Sequence, residues 1–394
     1  MEMMISVERA INLIQQAAMP LSPEMVDIKN ANGLILAQDI CSPIDIPGFK
    51  QSNMDGYAFA FNEGTTEYKL VGEVAAGNSN EVFIEKGMAV RIFTGAAVPA
   101  GADTVLMQEK AKILEDSLML LDGTIKAGDN VRPIGAEMKK GTVALAKGSI
   151  LKPSSIGLIA SLGINEVMAF PMPKIGILVT GNELQQPGLP ISYGQVYESN
   201  SFTLMSALTE WQLKSIKVVQ VIDHLETLSN HLMKLLNEVD MVLITGGVSV
   251  GDYDYTAKAF DNCGVESIFH KVKQKPGKPL LFGKKGNKIV VGLPGNPASV
   301  LTCFYLYVLP LIGLLARKEV NMTQLNVPIT HDYQKPEGLT HFLKAFYNGE
   351  NVCIQSGQES YKLSSYTTAN CLVVLPEKLS HLTAGTMVAI YLLP

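Results

Sequence analysis

Three apolar runs, each breaking into a glycine turn that opens a helical pattern, constrain this chain more than any other feature. They are Lys174 to Leu184 (KIGILVTGNEL), Met241 to Tyr255 (MVLITGGVSVGDYDY) and Lys288 to Ser299 (KIVVGLPGNPAS). A strand that ends in glycine and runs into a helix is the half-unit of an open parallel sheet, whose strand ends lie on one ligand-binding edge. Glu183, Asp254 and the Pro294/Gly295/Asn296 turn are therefore expected to converge there. Asn296 followed by Pro297 is also a good helix start, which is the plain structural explanation of that turn.

The middle run is the richest in chemistry. Glycines at 246, 247 and 251 let the backbone turn tightly and aim bare NH groups at an anion, with Ser249 adding a hydroxyl. Asp252 and Asp254 suit Mg2+ or a phosphate-linked water. The alternative is an ordinary glycine-rich turn between strand and helix.

With 394 residues the chain exceeds one ordinary core, and two to four domains are expected. Its net charge of −5 gives no general attraction to nucleic acid, so any anion site has to be local. Five widely spaced cysteines without a C-x-x-C pair argue against a zinc site or a disulfide framework and fit a reducing cytoplasm. The N-terminus reads as an amphipathic helix, not a signal peptide. The apolar stretch from Ala298 to Ala316 contains Ser299, Thr302 and Pro310, so a buried helix kinked or broken at Pro310 is expected rather than a membrane span. Its excess apolar surface suggests a subunit interface.

Helical patterns run from Ser6 to Ala18 and from Ser22 to Lys29, then a strand from Leu34 to Ile40. From Pro43 to about Met138, short apolar runs between Gly, Asn and Asp turns indicate a small β-rich domain. A helical or mixed segment follows over Leu151 to Leu162. Strands and helices alternate from Lys174 to about Lys318, as in a parallel sheet with crossovers. After Val320 short strands return.

The segment KVKQKPGKP carries Lys271, Lys273, Lys275 and Lys278. In an extended chain the first three point to one face, forming either a cationic comb for an oxyanion or a solvated edge strand. The Pro276/Gly277 turn favours the first reading, since it presents Lys275 and Lys278 from a compact loop. In SNMDGYA, Asp55 precedes Gly56 and fits either a hairpin turn or a placed acid. Thr94, in IFTGAAVP, either contacts a phosphate or ends a strand, and RPIGAE reads as a turn with an incidental ion pair. No nucleophile–histidine order is present, which disfavours nucleophilic catalysis.

Together, SNMDGYA, RIFTGAAVPAGADTVLMQE, VRPIGAE, VTGNEL, ITGGVSVGDYD, KPGKP and LPGNPAS resemble the MoeA family, the molybdopterin molybdenumtransferases, whose eukaryotic relatives include the gephyrin E domain. The motifs occur in the family's order across nearly the whole chain.

The resemblance implies an α/β multidomain fold of four parts. These are an elongated helical and mixed domain from residues 1–43 and 139–173, an inserted β-rich domain over 44–138, a MogA-like α/β domain with a parallel-type sheet over 174–319, and a C-terminal β-barrel over 320–394. It implies a homodimer with the active site between subunits, while the cytoplasmic location and the lack of nucleic-acid or membrane partners are expected from the cysteine usage, the net charge and the interrupted apolar stretch. A molybdopterin adenylyltransferase and molybdoenzyme-specific chaperones are the implied protein partners. Family members take adenylated molybdopterin and molybdate, and with a divalent cation such as Mg2+ release AMP and molybdenum cofactor.

For this chain the resemblance implies oxyanion contacts from Lys275, Lys278 and Ser299, with Pro279 as a wall, and further contacts from Lys344 and Ser360. Lys271 belongs to the same basic segment and joins the catalytic set. Asp254 and Glu183, as metal ligands, stand beside donors at Gly246, Gly247 and Gly251. Asp223 and Glu137 occupy further acidic positions, and Asp55 reaches the site across the dimer.

Three departures stand out. Ala136 and Glu137 replace the usual Glu-Asp, Lys344 replaces an arginine, and Asn182 replaces a frequent aspartate. The competing readings are a molybdopterin adenylyltransferase and a scaffold or inactive paralogue.

Overall fold

The computed structural model describes residues 4–77, 82–247, 255–320 and 322–394. The chain divides into two compact units, Glu24–Ala169 on the one hand and Met1–Pro23 with Phe170–Pro394 on the other.

At the centre of the larger unit is a six-stranded sheet in the order Ile216–Val221, Ile175–Thr180, Met241–Thr245, Lys288–Leu293, Leu281–Lys285, Glu266–His270. The first four strands are parallel and the last two antiparallel, so the expected parallel sheet is present with an antiparallel edge. Every residue of Ile175–Thr180 and Met241–Thr245 is buried. Alternation of side chains explains why both faces need cover. Ile175, Ile177, Val179 and Leu243 enter one core with Leu204 and Leu208 of the helix Asn200–Glu210. Leu178, Val242 and Ile244 enter a second core with Leu228, Leu232 and Leu235 of the helix Leu225–Glu238.

The helix Val7–Ala17 starts at Ser6, whose Oγ accepts from Arg9 N at 3.1 Å, and buries Ala10 and Ile14 in the first of these cores. These residues group with the larger unit.

The apolar stretch forms one 19-residue helix, Pro297–Leu315, of mean hydropathy 2.0. It is a core helix, with Ala298, Val300, Phe304, Leu309 and Ile312 fully buried. Its apolar surface is thus accounted for largely inside the subunit. The helix runs on past Pro310, and its irregularity is the π-helical stretch Phe304–Val308 just before. A widened turn there relieves the missing NH and the ring clash that proline brings to a helix interior.

The C-terminal strands follow the order Gln274–Lys275, Thr340–Tyr347, Cys371–Leu375, Met387–Leu392, Gln324–Pro328. Val352–Ile354 pairs with Thr340–Tyr347, and a bridge joins Ile329 to Val352.

The smaller unit is built on a six-stranded sheet in the order Thr104–Met107, Gly56–Phe59, Met88–Ile92, Glu67–Val74, Ser117–Leu120, Ala111–Leu114, which matches the expected β-rich texture. The helix expected over Ser22 to Lys29 is instead a strand, Glu24–Asp27, followed by the 3-10 turn Ile28–Asn30. Pairing overrides the local pattern, because Glu24 to Asp27 lie antiparallel to Ala169 to Glu166. The strand expected from Leu34 to Ile40 is two short pieces, Ile35–Leu36 and Ile40–Cys41.

Candidate functional site

The parallel register sets the ends of the central strands level. Thr180 pairs with Val221, Val179 with Thr245, and Thr245 with Leu293. The chain therefore leaves the sheet along a single edge at Gly181, Ile222, Gly246 and Pro294, with Glu183 and the Pro294/Gly295/Asn296 turn just past it.

Contacts along that edge fix its shape. Thr180 Oγ1 donates to Asp223 Oδ1 at 2.8 Å, and Asn182 Oδ1 accepts from Asp223 N at 3.0 Å. Asn182, the departure from an acidic residue, thus helps orient Asp223. Gly246 and Gly247 have φ of 90° and 60°. A Cβ on Gly246 would lie 1.9 Å from Thr180 O, so only glycine fits that crossing. Glu183 is exposed just past the first strand. Ser249, Gly251 and Asp254 lie outside the described residues, and among the described residues no group of three His, Cys, Asp or Glu side chains could hold a metal ion.

One residue that the sequence did not single out ties two of the turns together. Asn200 Nδ2 donates to Thr245 Oγ1 and to Gly295 O, both at 2.8 Å. It opens the helix Asn200–Glu210, whose start is held by buried Glu198 accepting from Ser201 N at 2.8 Å and Ser201 Oγ at 2.6 Å. An asparagine at a helix start reads as a cap, and nothing local signals partners 45 and 95 residues away.

The lysine segment is braced from beneath. Gln274 is fully buried, and its Nε2 donates to Gly277 O at 3.2 Å while its Oε1 accepts from Tyr307 OH. Gly277 has φ of 87°, and a Cβ there would lie 2.5 Å from Cys303 Sγ and 3.8 Å from Ser299 O. The turn therefore packs on the helix that carries buried Ser299, while Lys275 and Lys278 stay exposed. Lys275 pairs with His341 in the parallel register. The comb expected from Lys271 to Lys275 does not hold: Lys271 has a left-handed φ of 72°, which breaks the extended run. Lys273 pairs with Glu377 at 2.9 Å.

Asn296 Nδ2 donates to Ser360 Oγ at 2.8 Å, and Ala298 N donates to Ser360 O at 3.1 Å. The 357–362 loop is thereby seated on the start of the same helix. Lys344 is only 2% exposed. Its ammonium donates to Gly357 O at 2.8 Å, Lys362 O at 3.1 Å and Glu359 O at 3.4 Å. Burial lowers its pKa from the ordinary lysine value, against the charge of Glu359. The expected direct oxyanion contact from Lys344 is not what this geometry provides, because its donors are already engaged.

In the smaller unit the structure brings Asp55 and Thr94 together. Asp55 Oδ1 accepts from Thr94 N at 2.7 Å and from Thr94 Oγ1 at 2.8 Å. These two bonds, the backbone one foremost, hold the carboxyl below its usual range although it is exposed. Gly56 is not the corner of a hairpin but the first residue of a strand, and its Cβ would lie 1.8 Å from Leu106 O. Glu137, with Arg132 and Ala136, lines an open cavity of about 480 Å3 that also includes Asp45 and Phe49.

Residues 5–163 match the model of the MoeA N-terminal region (domain I and II), 176–313 that of a probable molybdopterin binding domain, and 326–393 that of the MoeA C-terminal region (domain IV). A molybdopterin molybdenumtransferase of Haemophilus influenzae is 34% identical, with 98% of each chain covered. Gephyrin of Dictyostelium discoideum is 32% identical over 98% of this chain and 62% of its own length. The crystal structure of a molybdopterin biosynthesis MoeA protein from a Pyrococcus species superposes with a TM-score of 0.80 at 30% identity, covering 99% of both chains.

Proposed function

The chain belongs to the MoeA family, and on that premise we propose that it is a molybdopterin molybdenumtransferase of molybdenum cofactor biosynthesis. Molybdate and adenylated molybdopterin are its substrates, AMP and molybdenum cofactor its products. The observation that carries the reading is the braced lysine turn, which presents Lys275 and Lys278 beside the helix bearing Ser299 in a chain of net charge −5. Molybdate is a dianion and needs local positive charge with donors, and this turn supplies them.

Cleavage of the adenylate needs its diphosphate charge neutralised and the leaving phosphate oriented. The amides of the Gly246/Gly247 turn and of the Gly295 turn are suited to that, since donors fixed before the reaction need no reorganisation during it. Hard carboxylate oxygens at this edge fit Mg2+, an ion that keeps several waters and takes few protein ligands. Glu183 and Asp254 would hold it, with Asp223 near the same edge, and it would supply charge neutralisation at the phosphates.

The proposal extends to the assembly: a cytoplasmic homodimer in which Asp55 acts at the partner's site, with Glu137 as a further acidic residue. It also keeps the four-part division at 44, 139, 174 and 320, with residues 320–394 as a small barrel.

The test is AMP release and cofactor formation from adenylated molybdopterin with Mg2+, with and without molybdate, in wild type and Lys275→Ala. Molybdate-dependent turnover that falls at least about 100-fold in the variant supports insertion at the lysine turn. ATP consumption without molybdate would point to adenylyl transfer instead. Peptide binding indifferent to Lys275→Ala, without turnover, would point to a scaffold.

A further inference from the structure

Lys344 occupies a place where side-chain chemistry and burial point to a task other than gripping an anion. An ammonium has three N–H donors, and three backbone carbonyls of one loop, those of Gly357, Glu359 and Lys362, receive them. A buried cation without such partners would be costly, so the loop is what makes this lysine tolerable, and the lysine is what closes the loop. Gln358 fastens the same loop from the other side. Its Oε1 accepts from Lys344 N at 3.0 Å, and its Nε2 donates to Lys344 O at 2.7 Å and to Gln355 O at 2.8 Å.

The loop closed in this way carries Ser360, which holds both Asn296 and the Ala298 amide. We propose that Lys344 is a positioning residue: it fixes the 357–362 loop so that Ser360 sets the start of the helix bearing Ser299, and it does not itself bind the oxyanion. This deepens the functional reading and rests on it for the identity of the anion. Lysine suits the task better than arginine. An ammonium is a compact charge that three converging carbonyls can surround, whereas a guanidinium is a planar fork of five donors. Lys344 is therefore a different device, and not an arginine with a weakened grip.

The test compares the full-length protein with Lys344→Met, Lys344→Arg, Gln358→Ala, Ser360→Ala and the double variant Lys344→Met/Ser360→Ala. Amide hydrogen exchange over 357–363 is read alongside the KM for molybdate and kcat. Lys344→Met and Gln358→Ala are expected to speed exchange about tenfold or more and to raise the molybdate KM by a similar factor, with kcat changed less than about threefold. Lys344→Arg keeps the charge and does not restore wild-type exchange. The double variant shows no larger KM than Lys344→Met, because the two residues act in series.

A direct ligand would behave differently. A raised KM in Lys344→Met with wild-type loop exchange, rescue by Lys344→Arg, or additive effects with Ser360→Ala would overturn the proposal. If Lys344→Met does not fold, Gln358→Ala decides: a wild-type KM in that variant would also overturn it. Absence of molybdate-dependent turnover in the wild type would sink the functional reading instead, and the positioning role would then stand or fall on the exchange data alone.

Discussion

The strand-end edge of the larger unit and the Asp55 turn of the smaller one begin from the same device and end differently. In each, a glycine lies against a neighbouring strand's carbonyl, Gly246 on Thr180 O and Gly56 on Leu106 O, so the backbone next to the polar residue is fixed by contact. Around Gly246 the polar groups are then tied through Asn200, Thr180, Asn182 and Asp223, and the nearby lysine turn is tied through buried Gln274. Around Gly56 the acid is exposed and held by Thr94. The first region is preorganised in depth, as a site that must hold charge in fixed positions requires. The second fixes one carboxylate at a surface, which suits a residue whose partner comes from elsewhere.

The shared element should give the largest effects. Gly246→Ala and Gly56→Ala each force a Cβ into a backbone oxygen and are expected to cost about 3 kcal/mol or more, read from urea unfolding. A loss below about 1 kcal/mol in either would break the likeness of the two regions.

Acid should separate them. Burial, followed by the charges of Lys335 and Lys275, lowers the His341 pKa to about 4, from an ordinary 6.5. The unfolded state then binds the extra proton between these values. The stabilisation is full above 6.5 and is lost as the pH falls towards 4, by up to roughly 3 kcal/mol. His341→Gln should flatten that slope. Asp55 behaves in the opposite sense of charge: its contribution is present above the usual carboxylate pKa and fades only as the pH falls through its depressed value.

Depth of bracing is tested next. Asn200→Ala leaves Thr245 Oγ1 and Gly295 O without their shared donor and should cost about 1–2 kcal/mol, together with a rise in KM for the adenylated substrate. Thr94→Val should change stability by less than about 0.5 kcal/mol. It removes the hydroxyl bond and keeps the stronger backbone one, so it should raise the Asp55 pKa only part of the way towards the ordinary value, measurable by carboxyl carbon titration in NMR. An unchanged pKa would mean that the Thr94 hydroxyl adds nothing to the hold of the backbone NH on the acid.

What the sequence disclosed follows from the range of the interactions involved. Strands that end in glycine and open helices are local patterns, so the parallel sheet and its shared edge were legible. Glu24–Asp27 was misread as helix because its strand state depends on partners at Glu166 to Ala169. The comb of lysines failed at one backbone angle, that of Lys271, for which a non-glycine residue gives no warning. Asn200, Gln274 and the carbonyl partners of Lys344 were illegible for a related reason. A polar residue in a sequence shows that it needs a partner, not which one it has found.

The two-residue strand Gln274–Lys275 lies alongside Thr340 and His341 as the outer member of the C-terminal sheet. In evolutionary terms this couples two stretches that match different family models, 176–313 and 326–393. The segment after residue 320 cannot be exchanged between homologues as a free cassette, because it supplies the rail on which the lysine turn is mounted. A chimera would have to import residues 271–279 with its new C-terminal segment, and recombination points that separate them should be selected against.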